Sequence, residues 1–192
     1  MHGVQQEGRE PADLLDEIAQ LKAHVARLEE KVAELDRLAH LDALVPIANR
    51  RGMLRELETM IARCERHNTP AAVLFIDLDG LKMLNDSFGH EGGDAALIHV
   101  AGQLQRGVRS TDCVARLGGD EFCILLDHAD EASAVETAER LANLVAGDDF
   151  VFAGQPMPLS VAIGLTVIER GDTPGAVLAR ADQAMYRVKV AA

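Results

Sequence analysis

The chain of 192 residues carries 19 Lys+Arg against 31 Asp+Glu, a formal net charge of −12, with 48% hydrophobic and 26% charged residues. Such proportions can close a hydrophobic core and suit one ordinary domain plus an accessory element, while the acidic balance argues against wrapping nucleic-acid polymers or lying on an anionic membrane. No apolar run approaches the roughly 20 residues of a membrane span, Met1–Glu10 lacks the basic-then-apolar order of a signal peptide, and the scattered Cys64, Cys113 and Cys123 fit a reduced, cytoplasmic chain.

In chain order, Leu14, Ile18, Leu21, Val25, Leu28, Val32, Leu35 and Ala39 alternate spacings of four and three, which predicts a long helix with a heptad seam. With Leu at d, the a positions Ile18, Val25 and Val32 are β-branched, the pattern of a parallel two-stranded coil. Glu17 would then face the partner copy's Lys22, His24 its Glu29, and Lys31 its Asp36. The plainer alternative is one amphipathic helix packed on its own domain. The stretch from Ala39 to Asn49, with Pro46, reads as a joint. Met53, Leu54, Leu57 and Ile61 predict a helix over 49–68, and the apolar run Ala71–Leu78 predicts a buried strand. A helix is expected over 92–108 from Ala95, Leu97, Ile98, Ala101 and Leu104. Strands over 113–117 and 122–127 enclose Gly-Gly-Asp-Glu as a β-hairpin. A helix over 131–146, a strand over 159–168 and a final helix over 174–189 capped by Thr173 complete the order. Strands interleaved with helices plus one hairpin give an α+β class, an α/β sandwich around a mixed sheet.

The acids collect at strand ends. Asp77 and Asp79 close one predicted strand, and Asp120 and Glu121 sit at the hairpin tip. Carboxylates at adjoining strand ends can share hard divalent cations together with phosphate oxygens, and two such ions can activate a hydroxyl and stabilise a leaving pyrophosphate. Gly118 and Gly119 let a backbone and a substrate approach closely, although a turn also favours Gly and Asp for its own sake.

Gly118-Gly119-Asp120-Glu121-Phe122 resembles the signature of the GGDEF family, the diguanylate cyclases, and the resemblance runs from about Asp42 to the C-terminus. It also rests on Phe75–Asp86, which looks like the family's strand and phosphate loop, on Phe88-Gly89-His90, on Gly93-Asp94, on Asn49-Arg50-Arg51, and on Ala181-Asp182 with Ala184-Met185-Tyr186. The resemblance implies a fold similar to polymerase palms and nucleotidyl cyclases, and condensation of two GTP into cyclic di-GMP with release of two pyrophosphates. It implies Asp77, Asp120 and the Leu78 carbonyl as ligands of Mg²⁺ or Mn²⁺, with Glu121 either a further ligand or the group that helps remove the 3′-hydroxyl proton. Asn85 and Asp94 would read guanine, whose N1–H and N2–H₂ suit a carboxylate. Lys82 and Lys189 would neutralise phosphates, although Lys82 could be a solvated surface lysine and Lys189 could complement a helix dipole. Gly118, Gly119 and the amides of residues 80–82 would lie against the nucleotide.

Arg109 and Asp112 form an Arg-x-x-Asp pattern separated from Gly118 by five residues, which resembles the family's inhibitory product site; alone, the pattern is often a surface ion pair. Arg suits phosphate and purine alike. Val45-Pro46-Ile47 stands where many members have Thr-Gly-Leu, so the joint is expected to bend differently. The expected organisation is a coiled-coil, dimerising and signalling helix over 1–41 and a catalytic domain over 42–192. The partners are GTP, cyclic di-GMP and a second copy of the chain. The alternative is a weak or inactive domain that acts as a cyclic di-GMP receptor.

Overall fold

The computed structural model of the chain describes residues 11–191, so the expectation for Met1–Glu10 lies outside them. The chain divides into two units, with the boundary between Ala39 and His40. The first is α1 (Pro11–His40), 30 residues without a break. Its heptad residues Leu14, Ile18, Leu21, Val25, Leu28, Val32 and Leu35 are each between 45% and 64% exposed, a continuous apolar stripe.

The second unit is built on a five-stranded sheet. Its strands are β1 (Ala48–Asn49), β2 (Ala71–Leu78), β3 (Cys113–Gly118), β4 (Glu121–Asp127) and β7 (Val161–Val167). They lie in the order β1-β3-β4-β2-β7. β1 runs parallel to β3, and the other pairs are antiparallel. β2 is buried along its whole length, which is why its sequence is an unbroken apolar run and not an alternating one. Its residues divide between two faces. Ala72, Leu74, Ile76 and Leu78 pack with α3 (Leu81–Arg106) and α4 (Glu131–Ala146), whereas Ala71, Val73 and Phe75 pack with α2 (Arg50–His67) and α5 (Pro174–Ala191). Cys123 fills the second face, and burial pushes its thiol above the ordinary range. The half-buried Cys113 thiol is pushed up to about 11 for the same reason.

Helix ends follow their caps. Asn49 accepts from the amides of Arg51 and Gly52, and Asn68 closes α2 in the left-handed region. Asp130 accepts from Ser133 N at the start of α4, and Thr173 Oγ1 accepts from Ala176 N at the start of α5. Three strands escape the sequence pattern: β1, and the small hairpin of β5 (Val151–Phe152) and β6 (Gln155–Pro156). Each has two residues, too few to show a period. The expected helix over 92–108 is also corrected. It starts at Leu81 and ends at Arg106, with a break at Gly89, so Lys82 and Asn85 sit on a helix and not in a loop. At the joint, Ile47 N donates to Val45 O across Pro46, an i→i+2 turn that the fixed φ of proline suits.

A cluster beyond β7 supports a direct stability test. Both Arg180 Nη atoms donate to Asp172 at 2.7 Å, and Glu169 N adds a third bond at 2.7 Å. The Arg180 guanidinium, then the Glu169 amide, hold the Asp172 carboxyl below its ordinary value. A depressed folded pKa means stability that is present above the unfolded value and lost as pH falls through the folded one. Asp172→Asn is therefore expected to cost about 1 kcal/mol at neutral pH, moderated by the exposure of Arg180. In urea melts the difference from the parent chain shrinks towards zero below the ordinary carboxylate range.

Candidate functional site

The register of the sheet places the acids. Asp77 on β2 lies opposite Glu121 on β4 and Ala162 on β7. Leu78, the last residue of β2, donates its amide to the carbonyl of Asp120 at 3.0 Å. The two strand ends named from the sequence therefore meet at one edge. The β3–β4 loop is the pair Gly119-Asp120, and φ is 144° at Gly118 and 53° at Gly119; such angles favour glycine over residues with a Cβ. Asp79 donates its amide to Ser160 O at 2.9 Å and accepts from Ser160 Oγ at 2.8 Å, which fixes the turn entering α3.

Charge is unbalanced here. Glu121 has its carboxyl raised, first by burial and then by the like charges of Asp120, Asp182 and Asp77, with Arg50 opposing. Lys189 reaches back 112 residues to place Nζ 2.5 Å from Asp77 Oδ1, and that bond raises its pKa. Among the described residues, no three His, Cys, Asp or Glu side chains form a preassembled metal group. The donor set nevertheless fits a hard divalent cation, which needs only one or two carboxylates when phosphate and water oxygens complete its shell. The like charges that, after burial, raise the Glu121 carboxyl are a crowding that a bound cation would relieve.

Asn85 and Asp94 lie on either side of the break in α3, and Asn85 packs directly on Gly93. Asp94 is exposed and Asn85 half-buried, while Lys82 is exposed in the first turn of α3. A cavity of about 440 Å³ opens beside the turn, lined by Asp79, Gly80, Met83, Phe88, Met157 and Ser160.

Arg109 and Asp112 lie elsewhere, on the loop between α3 and β3. Both carboxylate oxygens of Asp112 are engaged: Oδ2 accepts from Arg109 N at 2.9 Å, and Oδ1 from Asp127 N at 3.1 Å. Asp112 thus ties its loop to the end of β4, and the pair is not a simple side-chain ion pair. The two residues line a small cavity of about 80 Å³ with Asp127, His128, Ser133 and Arg140. Arg140, which also donates to Gly107 O at 2.5 Å, was not singled out in the sequence because nothing in its helix marks it.

Arg116 is a second missed residue. Its Nε and Nη2 donate to Gly119 O at 3.0 and 2.8 Å, and Nη1 lies 3.4 Å from Asp42 Oδ1. The same Asp42 oxygen accepts from Leu44 N and Val45 N. One guanidinium therefore pins the hairpin tip and touches the joint loop.

The family whose model matches residues 39–192 is described as "Diguanylate cyclase, GGDEF domain". The chain is 38% identical over 178 residues to the diguanylate cyclase TpbB of Pseudomonas aeruginosa, covering 92% of this chain and 40% of that protein. It is 37% identical over 155 residues to the response regulator PleD of Caulobacter vibrioides, covering 79% of this chain and 34% of that protein. The chain spans well under half the length of these curated relatives. Among solved structures, the coiled coil and GGDEF domain of DgcB from Caulobacter crescentus, in complex with c-di-GMP, matches with a TM-score of 0.86 at 27% identity. That match covers 93% of this chain and 95% of the other.

Proposed function

The chain belongs to the GGDEF family of diguanylate cyclases, and on that premise we propose that it condenses two GTP into cyclic di-GMP and two pyrophosphates. The observation that carries this reading is the meeting of Asp77, Asp120 and Glu121 at adjoining strand ends. Asp77, Asp120, Glu121 and the Leu78 carbonyl would hold Mg²⁺ or Mn²⁺. The chemistry supplied by such an ion, when bound, is a more acidic 3′-hydroxyl and neutralised charge on the leaving pyrophosphate.

The chain's own residues supply the rest. Asn85 and Asp94 read the base, and the choice of a carboxylate selects guanine over adenine. Lys82 and Lys189 offset phosphate charge, and Lys189 can leave Asp77 for a phosphate oxygen when a cation takes that carboxylate. Gly118 and Gly119 keep the hairpin tip bare where a nucleotide must approach. Glu121, with its raised pKa, is either a ligand or a proton acceptor. The division read from the sequence assigns 1–41 to a dimerising helix and 42–192 to the catalytic domain.

Each protomer would hold one GTP, so two sites must face one another. The exposed heptad stripe of α1 is the surface that a second copy would cover as a parallel coil, which raises the effective concentration of one site near the other. Incubation with GTP and Mg²⁺ followed by nucleotide separation tests the activity: cyclic di-GMP is expected, and ATP in place of GTP should give no cyclic product. Persistence of GTP unchanged would refute the reading.

Product would also bind in the cavity of Arg109, Asp112 and Arg140, away from the acids, and inhibit. Arg109→Ala removes a guanidinium able to hold phosphate by two bonds. The concentration of added cyclic di-GMP that halves the rate is expected to rise about 10- to 100-fold. An unchanged inhibition curve would remove Arg109 from that site.

A further inference from the structure

The two residues read as guanine contacts stand nine positions apart on α3. An unbroken helix would separate them by about 13.5 Å along its axis, too far to serve one base edge. The chain solves this at Gly89, where φ is 72° and ψ is 179° inside the helix. Only glycine adopts that region readily, and nothing lies within 4 Å of where a Cβ would stand; the requirement is one of backbone conformation, not of room.

Past the break, the requirement is one of room. A Cβ on Gly93 would collide with Asn85 Oδ1, and would lie 2.9 Å from its Cγ and 3.2 Å from its Nδ2. All three of the nearest atoms belong to the one carboxamide. Gly92 shows the same economy: a Cβ there would lie 2.6 Å from Phe88 Cβ and 3.4 Å from the Phe152 ring. Phe88 and Phe152 meet edge to face, with ring centroids 5.9 Å apart. The two halves of α3 are thus folded against each other across bare glycines, and the Asn85 carboxamide rests on the backbone immediately before Asp94.

We propose that Gly93 is a positioning residue for base recognition: its bare Cα seats the Asn85 carboxamide beside Asp94, and the break at Gly89 makes that seat reachable. This rests on the reading of Asn85 and Asp94 as guanine contacts. Gly93 itself touches no nucleotide; it acts through Asn85.

A double-mutant cycle tests this, with GTP binding in Mg²⁺ measured by calorimetry and turnover measured in parallel. Gly93→Ala is expected to raise the Kd and KM for GTP about 10- to 100-fold, with the loss carried by KM more than by kcat. Asn85→Ala is expected to do the same. In the Asn85→Ala background the added methyl meets no carboxamide, so Gly93→Ala should cost nothing further, either in affinity or in melting temperature. Full additivity in that background, or a Gly93→Ala chain that binds GTP like the parent, would overturn the proposal. A parent-like Kd in Asn85→Ala alone would overturn the underlying reading of the base contacts instead.

Discussion

Asp120→Asn is expected to lower cyclic di-GMP formation on the order of 10³-fold, the scale on which loss of one preorganised electrostatic group at a reacting centre is felt, because the carboxamide would hold the cation more weakly. The fold should be indifferent to it. Asp120 sits in a two-residue turn, and it is its carbonyl that binds the Leu78 amide; the carboxamide leaves that bond intact. Binding of cyclic di-GMP at the Arg109 cavity should also persist, because that cavity is lined by other residues. The measurement is a turnover assay paired with product calorimetry and a thermal melt. Turnover at the parent rate would remove Asp120 from the metal set. Asp77→Asn is a less clean test, because it also takes the partner from Lys189.

Gly164→Ala is expected to have the largest effect on stability. Gly164 lies on β7 opposite Phe75, and a Cβ there would collide with the backbone nitrogen of Met185 and stand 2.5 Å from its Cα and 2.6 Å from Ala181 O. These are backbone atoms of α5, so no rotamer change relieves the clash, and the helix must lift from the sheet. A loss on the order of 3–5 kcal/mol follows, which lowers the melting midpoint by roughly 6–20 °C in a chain of this size. Gly102→Ala is the control of opposite sign. Nothing lies within 4 Å of its Cβ position on α3, so the gain in helix propensity, about 1 kcal/mol, should appear as added stability. Equal melting temperatures for Gly164→Ala and the parent chain would contradict the close approach of α5 to β7.

The two glycines illustrate what a sequence can and cannot express. The apolar run at 71–78, the heptad leucines and the Gly-Gly hairpin were legible because each repeats one physical demand over several residues. The first half of α3 was not. Gly89, Gly92 and Gly93 depress helix propensity, and the break at Gly89 turns the two halves to different neighbours, so one helical period never accumulates. Thr173 was readable as a cap, since capping is local.

The site divides in the same way. Asp77, Asp120 and Glu121 were legible as acids at predicted strand ends, their roles were implied by motif resemblance, and the sheet brings them together. Their partners are non-local: Lys189 meets Asp77 across 112 residues, and Arg116 meets Asp42 across 74. The plainer alternative for Arg109 and Asp112, a surface ion pair, does not describe the contacts: the Asp112 oxygens serve backbone amides, a role that only the fold reveals.

The net charge of −12 takes on a local meaning once these contacts are in place. A polyanionic nucleotide would be repelled by the bare acids at the strand ends. A cation held there, together with Lys82 and Lys189, would reverse the local field and leave the overall charge negative.

The most direct test is the stoichiometry of GTP conversion by the full chain with Mg²⁺ over a wide range of protein concentration. Two pyrophosphates should appear for each cyclic di-GMP, with the rate per protomer climbing to a plateau as protomers pair. No cyclic di-GMP at any concentration, in a chain that still binds added cyclic di-GMP, would contradict the account and leave a receptor in place of an enzyme.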